Sequence, residues 1–255
     1  MNFRHSRVDK LLLIVSRPSY QQCVYRTLTT TTGGSTVSAR KSGTAARLTR
    51  GNRPAPGARR CILIDVGKVV VSEFVSVDGV MEDPGGADGF EQGGWAFKFD
   101  RGSVGDKFKL DEVMAGDALL LGRITYQGFA KAWPSVKDEV GFADKMNSMP
   151  KFVVSRTLEK AEWNNSSVIR ENVPDEVSRL KQRFAGDILV AGSSRLVHTL
   201  MDHDLVDEIR LMVFPVVLGT GKRLFKDGSP MRALQLVETK SAGAALILIY
   251  RPARA

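Results

Sequence analysis

Three stretches place glycine, hydroxyl and arginine side chains directly behind an apolar run. Leu119-Leu120-Leu121 is followed by Gly122, Arg123, Ile124 and Thr125. Phe152-Val153-Val154 is followed by Ser155, Arg156 and Thr157. Ile188-Leu189-Val190 is followed by Ala191, Gly192, Ser193 and Ser194. A glycine at the end of a buried strand lets an anion approach the backbone. The free N–H groups and positive dipole of a following helix then hold it, and an arginine adds a charged fork. Three such corners on one sheet suit a ligand with more than one phosphate. Composition alone leaves a second reading level with this one: solvated arginines and serines that cap helices.

Two carboxylates are candidates for work on a substrate. Asp78 precedes Gly79 in a segment that can fold over a ligand, although Asp-Gly is also a common turn pair. Asp106 falls in the first turns of a helix ahead of the Gly122 corner, a place where acids are favoured in any case. Trp95 and Phe97 lie in a region able to close over a substrate, and Gly219, Gly221 and Lys222 could hold a substrate phosphate. Solvated turns explain both regions equally well. His198 and His203 are five apart, which misses the i, i+4 spacing of helical zinc pairs, so no metal site is expected.

These residues need a scaffold, and the hydropathy pattern supplies one. Lys68 to Val77 is β-branched and continuous, the texture of a strand buried on both faces. The segment from Asp78 to Gly94 is a Gly/Asp loop too long for a plain connector. Helical spacing follows at 103–116, a strand at 117–122, and helices at 123–133 and 138–149, the last stopped before Pro150. Strands are expected at 151–157 and near 161–170, with a turn at Asn164-Asn165. Pro174 opens a helix. A strand at 187–192, a helix at 193–204, a long strand at 206–219 interrupted by Pro215 and a closing hairpin complete the chain. Alternating strands and helices that finish in a hairpin predict an α/β fold: a mostly parallel central sheet, helices on both faces and an antiparallel C-terminal edge. Ligands of such sheets sit outside the carboxyl ends of the strands.

The net charge of +9 comes from 37 Lys/Arg against 28 Asp/Glu. Residues 1–65 hold twelve of those bases and two of the acids, so the rest of the chain is close to neutral. A nucleic-acid partner is therefore not expected for the folded body. Cys23 and Cys61 both belong to the basic quarter, which excludes a disulfide or thiol nucleophile in the body. No apolar run approaches the ~18 residues of a membrane span. Residues 1–66 are rich in Thr, Ser, Gly, Arg and Pro and are expected to form a disordered extension, with the folded domain at 67–255. An upstream extension ahead of Val66-Gly67-Lys68, a transit segment and a basic nucleic-acid-binding tail all remain open for it.

Order and spacing together resemble the dihydrofolate reductase-like fold, and within it the C-terminal reductase domain of the riboflavin-biosynthesis protein RibD. The resemblance rests on SEFVSVDGVM, LLLGRITYQGF, FVVSRT and ILVAGSSRLVHTLM, followed by VDEIRLMVFPVVLGTGKRLF, and it spans 68–251. It implies NADPH as cofactor: Gly122, Arg123 and Thr125 on its phosphates, Ser155 and Arg156 on the 2′-phosphate, and Gly192, Ser193 and Ser194 on the pyrophosphate. It further implies Asp78 and Asp106 as catalytic candidates and Asp78, Trp95, Gly221 and Lys222 as substrate contacts. The substrate would be a small heterocycle, the assembly a homodimer and the location cytoplasmic. The activity it suggests is reduction of 5-amino-6-(5-phosphoribosylamino)uracil. Dihydrofolate reduction and nucleotide binding without turnover are the alternatives. The zinc deaminase half often fused to RibD needs an H-x-E and PCxxC set, which the sequence lacks.

Overall fold

A computed structural model describes residues 66–253. The expectations for the basic N-terminal segment and its two cysteines lie outside these residues. The first strand, β1 (Lys68–Ser76), is central. A 3-10 turn at Trp95–Lys98 leads into α1 (Gly102–Ala115), which is followed by β2 (Gly116–Gly122), α2 (Arg123–Ala132) and α3 (Phe142–Ser148). Then come β3 (Lys151–Val154), β4 (Ser166–Ile169), α4 (Val173–Arg183), β5 (Asp187–Val190) and α5 (Ser194–Asp202). The chain finishes with β6 (Glu208–Phe214), β7 (Leu234–Ala242) and β8 (Ala245–Pro252).

The eight strands form one sheet in the order β4-β3-β2-β5-β1-β6-β8-β7. All pairs from β4 to β6 are parallel, while β8 runs antiparallel to both β6 and β7. The expected α/β architecture is thus observed. Strand alternation divides the core. Val69, Val71 and Val75 share one face with Val177 and Leu180 of α4 and Leu196, Val197 and Leu200 of α5. Val70, Leu119, Leu121 and Leu189 face Val113 of α1, Tyr126 of α2 and Phe142 and Met146 of α3. A third cluster, with Trp95, Met212, Phe214 and Ile247, lies toward the hairpin. β7 is exposed along most of its length, and a bulge interrupts its register between Leu236 and Glu238.

Two local differences from the sequence expectations have clear causes. The helix expected from Asp138 begins at Phe142. The Asp138 carboxylate accepts the N–H groups of Val140, Phe142 and Ala143 at 3.0, 2.9 and 2.6 Å, so it anchors the entry instead of occupying the first turn. The Ser155 corner is not strand-to-helix, because β3 passes through a loop to β4. Ser155 Oγ accepts the N–H groups of Thr157 and Leu158 at 3.2 and 2.9 Å and closes a tight turn there.

Lys151 opens β3 with no exposed surface. Its ammonium donates to the carbonyls of Asn147, Met149 and Asn164 at 2.9, 2.8 and 3.0 Å, and lies 4.1 Å from the Trp163 ring centroid. Burial pulls its pKa down to about 8. Lys151→Met would leave three carbonyls without their donor. A loss of roughly 2–4 kcal/mol in urea unfolding is expected.

Candidate functional site

The geometry starts with sheet order. β3, β2 and β5 are consecutive parallel strands, so their carboxyl ends open on the same edge of the sheet. The three corners picked out by composition are therefore neighbours. Those after β2 and β5 interlock. A Cβ placed on Gly122 would lie 2.1 Å from Ser193 Oγ and 2.6 Å from its Cβ, and one on Gly192 would meet Thr125 Oγ1 at 2.6 Å. Gly192 and Ser193 both adopt left-handed backbone, with φ of 70° and 68°. The starts of α2 and α5 thus stand side by side at this edge of the sheet, and the first-turn N–H groups of a helix are suited to an anion.

The interlock is testable by itself. Gly122→Ala forces Ser193 aside and is expected to cost about 1–3 kcal/mol of stability in denaturant melts. Ser193→Gly in the same chain removes the clash and suits the positive φ, so most of the loss should return. Equal stability of Gly122→Ala and the parent would refute the packing described.

Around these corners, Arg123 is exposed on the first turn of α2 and its guanidinium reaches Gln127 Oε1 at 3.2 Å. Arg156 is exposed on the turn shaped by Ser155 and forms no ion pair among the described residues. The Ser194 side chain, 8 % exposed, begins α5. The Gly192 N–H is directed elsewhere: it donates to Glu73 Oε2 of β1 at 3.1 Å. Of the residues expected to meet phosphate, Gly192 thus contributes its shape and not its N–H.

Beyond β1, on the α1 side, lies a small cavity of about 40 Å³, lined by Phe74, Ala96, Phe97, Phe99, Asp100, Arg101, Asp106 and Phe214. Asp106 Oδ1 accepts Arg101 Nε at 2.6 Å. Oδ2 has no hydrogen-bond partner among the described residues, so it can accept from a ligand. Arg101 itself stacks 5.7 Å from the Phe74 ring. The walls are largely aromatic, Asp100, Arg101 and Asp106 add charge to the lining, and the Asp106 carboxylate is held in place, which suits the edge of a flat ring carrying N–H donors. Phe74 follows Glu73 on β1, so the strand that walls this cavity is also the one that touches the β5–α5 corner.

The remaining candidates are placed differently from the expectation. Asp78 accepts Ser76 Oγ at 2.6 Å and the N–H groups of Leu218 and Gly219 at 3.1 and 2.8 Å. The Ser76 hydroxyl, more than the two backbone donors, holds its carboxyl down at about 2. It is a carboxylate that ties the 216–219 loop to β1 and has no proton to give near neutral pH. Trp95 is 1 % exposed, packs edge-on against Phe214 at 5.7 Å and donates its indole N–H to the Glu82 carbonyl. It is a core side chain behind the cavity wall, and Phe97 lines the cavity in its place. Lys222 is ion-paired with Glu82, which also accepts its backbone N–H, so its charge is already neutralised; neighbouring Gly221 packs against Val80 and Phe90. The long loop is organised by buried Asp83, which accepts the N–H groups of Ala87 and Phe90. His198 binds the Leu224 carbonyl at 2.9 Å, and no group of metal-binding side chains occurs among the described residues.

Phe74, Arg101 and Glu73 were missed by sequence reasoning. Phe74 reaches the cavity with Asp106 only through the fold, while Arg101 meets Asp106 locally across the start of α1. Glu73 carried a signal: it shares strand parity with Val69, Val71 and Val75, so an acid there had to be buried.

An open, mostly parallel sheet covered by helices on both faces and closed by an antiparallel edge defines an α/β domain. The chain belongs to the family of the RibD C-terminal domain, whose model matches residues 67–248. It is 30% identical over 184 residues to the uncharacterized protein YwjB of Bacillus subtilis (strain 168), covering 72% of this chain and 97% of that protein. A solved structure of a putative riboflavin biosynthesis protein from Shewanella sp. PV-4 superposes with a TM-score of 0.59 at 18% identity, covering 73% of this chain and 99% of that one. A pyrimidine reductase-like protein from Corynebacterium diphtheriae gives 0.51 at 14% identity, covering 75% and 94%. These likenesses agree with the dihydrofolate reductase-like fold read from the motifs. Among the described residues no helix is long and apolar enough to cross a membrane.

Proposed function

We propose that the chain is an NADPH-dependent reductase of a small planar heterocycle, of the kind represented by 5-amino-6-(5-phosphoribosylamino)uracil. The observation that carries this is the run of three parallel strand ends, β3-β2-β5, on the sheet whose β1 also walls a small aromatic-lined cavity where Arg101 orients Asp106. The residues present fit a dinucleotide. The interlocked corners present backbone N–H groups and the hydroxyls of Thr125, Ser193 and Ser194 to phosphates. Arg123 adds charge, and exposed Arg156 suits the extra 2′-phosphate that separates NADPH from NADH.

The coenzyme supplies the hydride; the protein binds, orients and excludes water. Phe74, Phe97, Phe99 and Phe214 hold the substrate ring in a layer. Asp106, fixed by Arg101, accepts N–H groups from its edge and sets which carbon faces β1. A homodimer belongs to the same reading and is checked by sedimentation.

The test is fluorescence titration of NADPH and NADH, followed by NADPH oxidation with pyrimidine and pterin substrates. Tight NADPH binding with turnover of a pyrimidine supports the proposal, and turnover of a dihydropterin would move the substrate class. Absence of NADPH binding would remove it.

A further inference from the structure

Among the described residues Glu73 is the buried acid in contact with the β5–α5 corner, and nothing in the proposed reaction uses it. It lies on β1 two residues beyond Val71, the last residue of β1 registered with β5. Its side chain spans the place where the two strands part. Oε2 accepts the Gly192 N–H at 3.1 Å, while Oε1 is buried without a hydrogen-bond partner. Its register partner on β6 is Leu211. The charged side chains that act on it are Lys109 and Glu112 of α1, which form an ion pair with each other.

From this geometry we infer that Glu73 is a positioning residue which braces the β5–α5 corner as a neutral acid, and whose ionisation expels anionic ligand from that corner. The inference rests on the coenzyme reading above. The brace holds Gly192 in its left-handed conformation, and that places Ser193 over Gly122. A proton on Glu73 leaves the corner without a negative charge beneath it. Loss of the proton sets a buried carboxylate directly under the helix start that would receive pyrophosphate, and two like charges in a poorly solvated crevice repel strongly. Burial pushes the Glu73 carboxyl up to about 8, so the change falls just above neutral pH. By linkage, a bound anion must in turn draw a proton onto Glu73.

The experiment is a titration of NADPH, and in parallel of inorganic pyrophosphate, into the full chain and its Glu73→Gln variant between pH 7 and 9.5. The parent is expected to lose affinity about tenfold across this range, and Glu73→Gln to lack that loss. A parent that binds equally at both ends, or a variant that follows the parent's curve, overturns the inference. Glu73→Met, similar in volume and without a titrating group, repeats the comparison if the amide variant does not fold. Failure of NADPH to bind the parent at pH 7 would count against the coenzyme reading. The pyrophosphate curves still decide the role of Glu73 in that case, since the same alkaline loss in the parent alone supports it and identical curves refute it.

Discussion

The Arg156→Ala variant is expected to bind NADPH about 10- to 100-fold more weakly while NADH affinity stays within about twofold. A phosphate held by a guanidinium gains charge-assisted hydrogen bonds of roughly 1.5–3 kcal/mol, and NADH has no phosphate at that position. Arg156 is suited to this because its turn is closed by Ser155 and not by the arginine itself. Removing the side chain should leave β3 and its turn intact, so thermal stability serves as the control. The parent's preference for NADPH should also shrink as salt is raised, since the arginine is exposed and its interaction screened. Equal affinities of the parent for the two coenzymes would overturn the assignment before any variant is made.

Asp106→Asn is expected to lower kcat/KM about 100-fold or more and to leave NADPH affinity unchanged. The carboxylate lies in the aromatic-walled cavity, apart from the corners proposed to bind the coenzyme, so its loss should fall on substrate and not on cofactor. An amide of the same shape keeps the volume but turns one acceptor into a donor and drops the charge that pairs with Arg101. A substrate N–H facing that position then meets another N–H, and loss of an interaction with a charged partner costs roughly 3 kcal/mol. An unchanged kcat/KM would place the substrate elsewhere.

Stability offers a check on Glu73 that involves no ligand. Its carboxyl is raised from 4.5 to about 8 in the folded chain. Between these values the unfolded chain has released the proton and the folded chain retains it, so stability falls as pH rises, by up to roughly 1.4 kcal/mol per pH unit. Glu73→Gln should flatten this slope in urea melts from pH 5 to 8. Persistence of the slope in the variant would mean that another group carries it.

The strands were legible because β2, β3 and β5 each end in a short continuous apolar run, the texture of a sheet covered on both faces. Their shared chemistry at the carboxyl ends was legible for the same reason, since the corner follows wherever the run stops. What the sequence obscured were distances between segments. An aromatic in a Gly-rich loop looks like a lid, yet Trp95 finds Phe214 of β6 and is buried by it. Asp78 looks like a reactive acid beside a glycine, yet its oxygens are taken by a loop 140 residues further on. The cavity joins Phe74, Asp106 and Phe214 from three elements, and no local spacing announces that meeting.

The bulged outer strand has a consequence for how this protein behaves when crowded. A straight unpaired margin would offer its backbone to the next molecule as a template for stacking into fibres. β7 breaks that template at Leu236/Glu238, and the charged side chains of Glu238 and Lys240 stand exposed just past the break. The sheet ends where it does because its last strand is built to refuse a ninth.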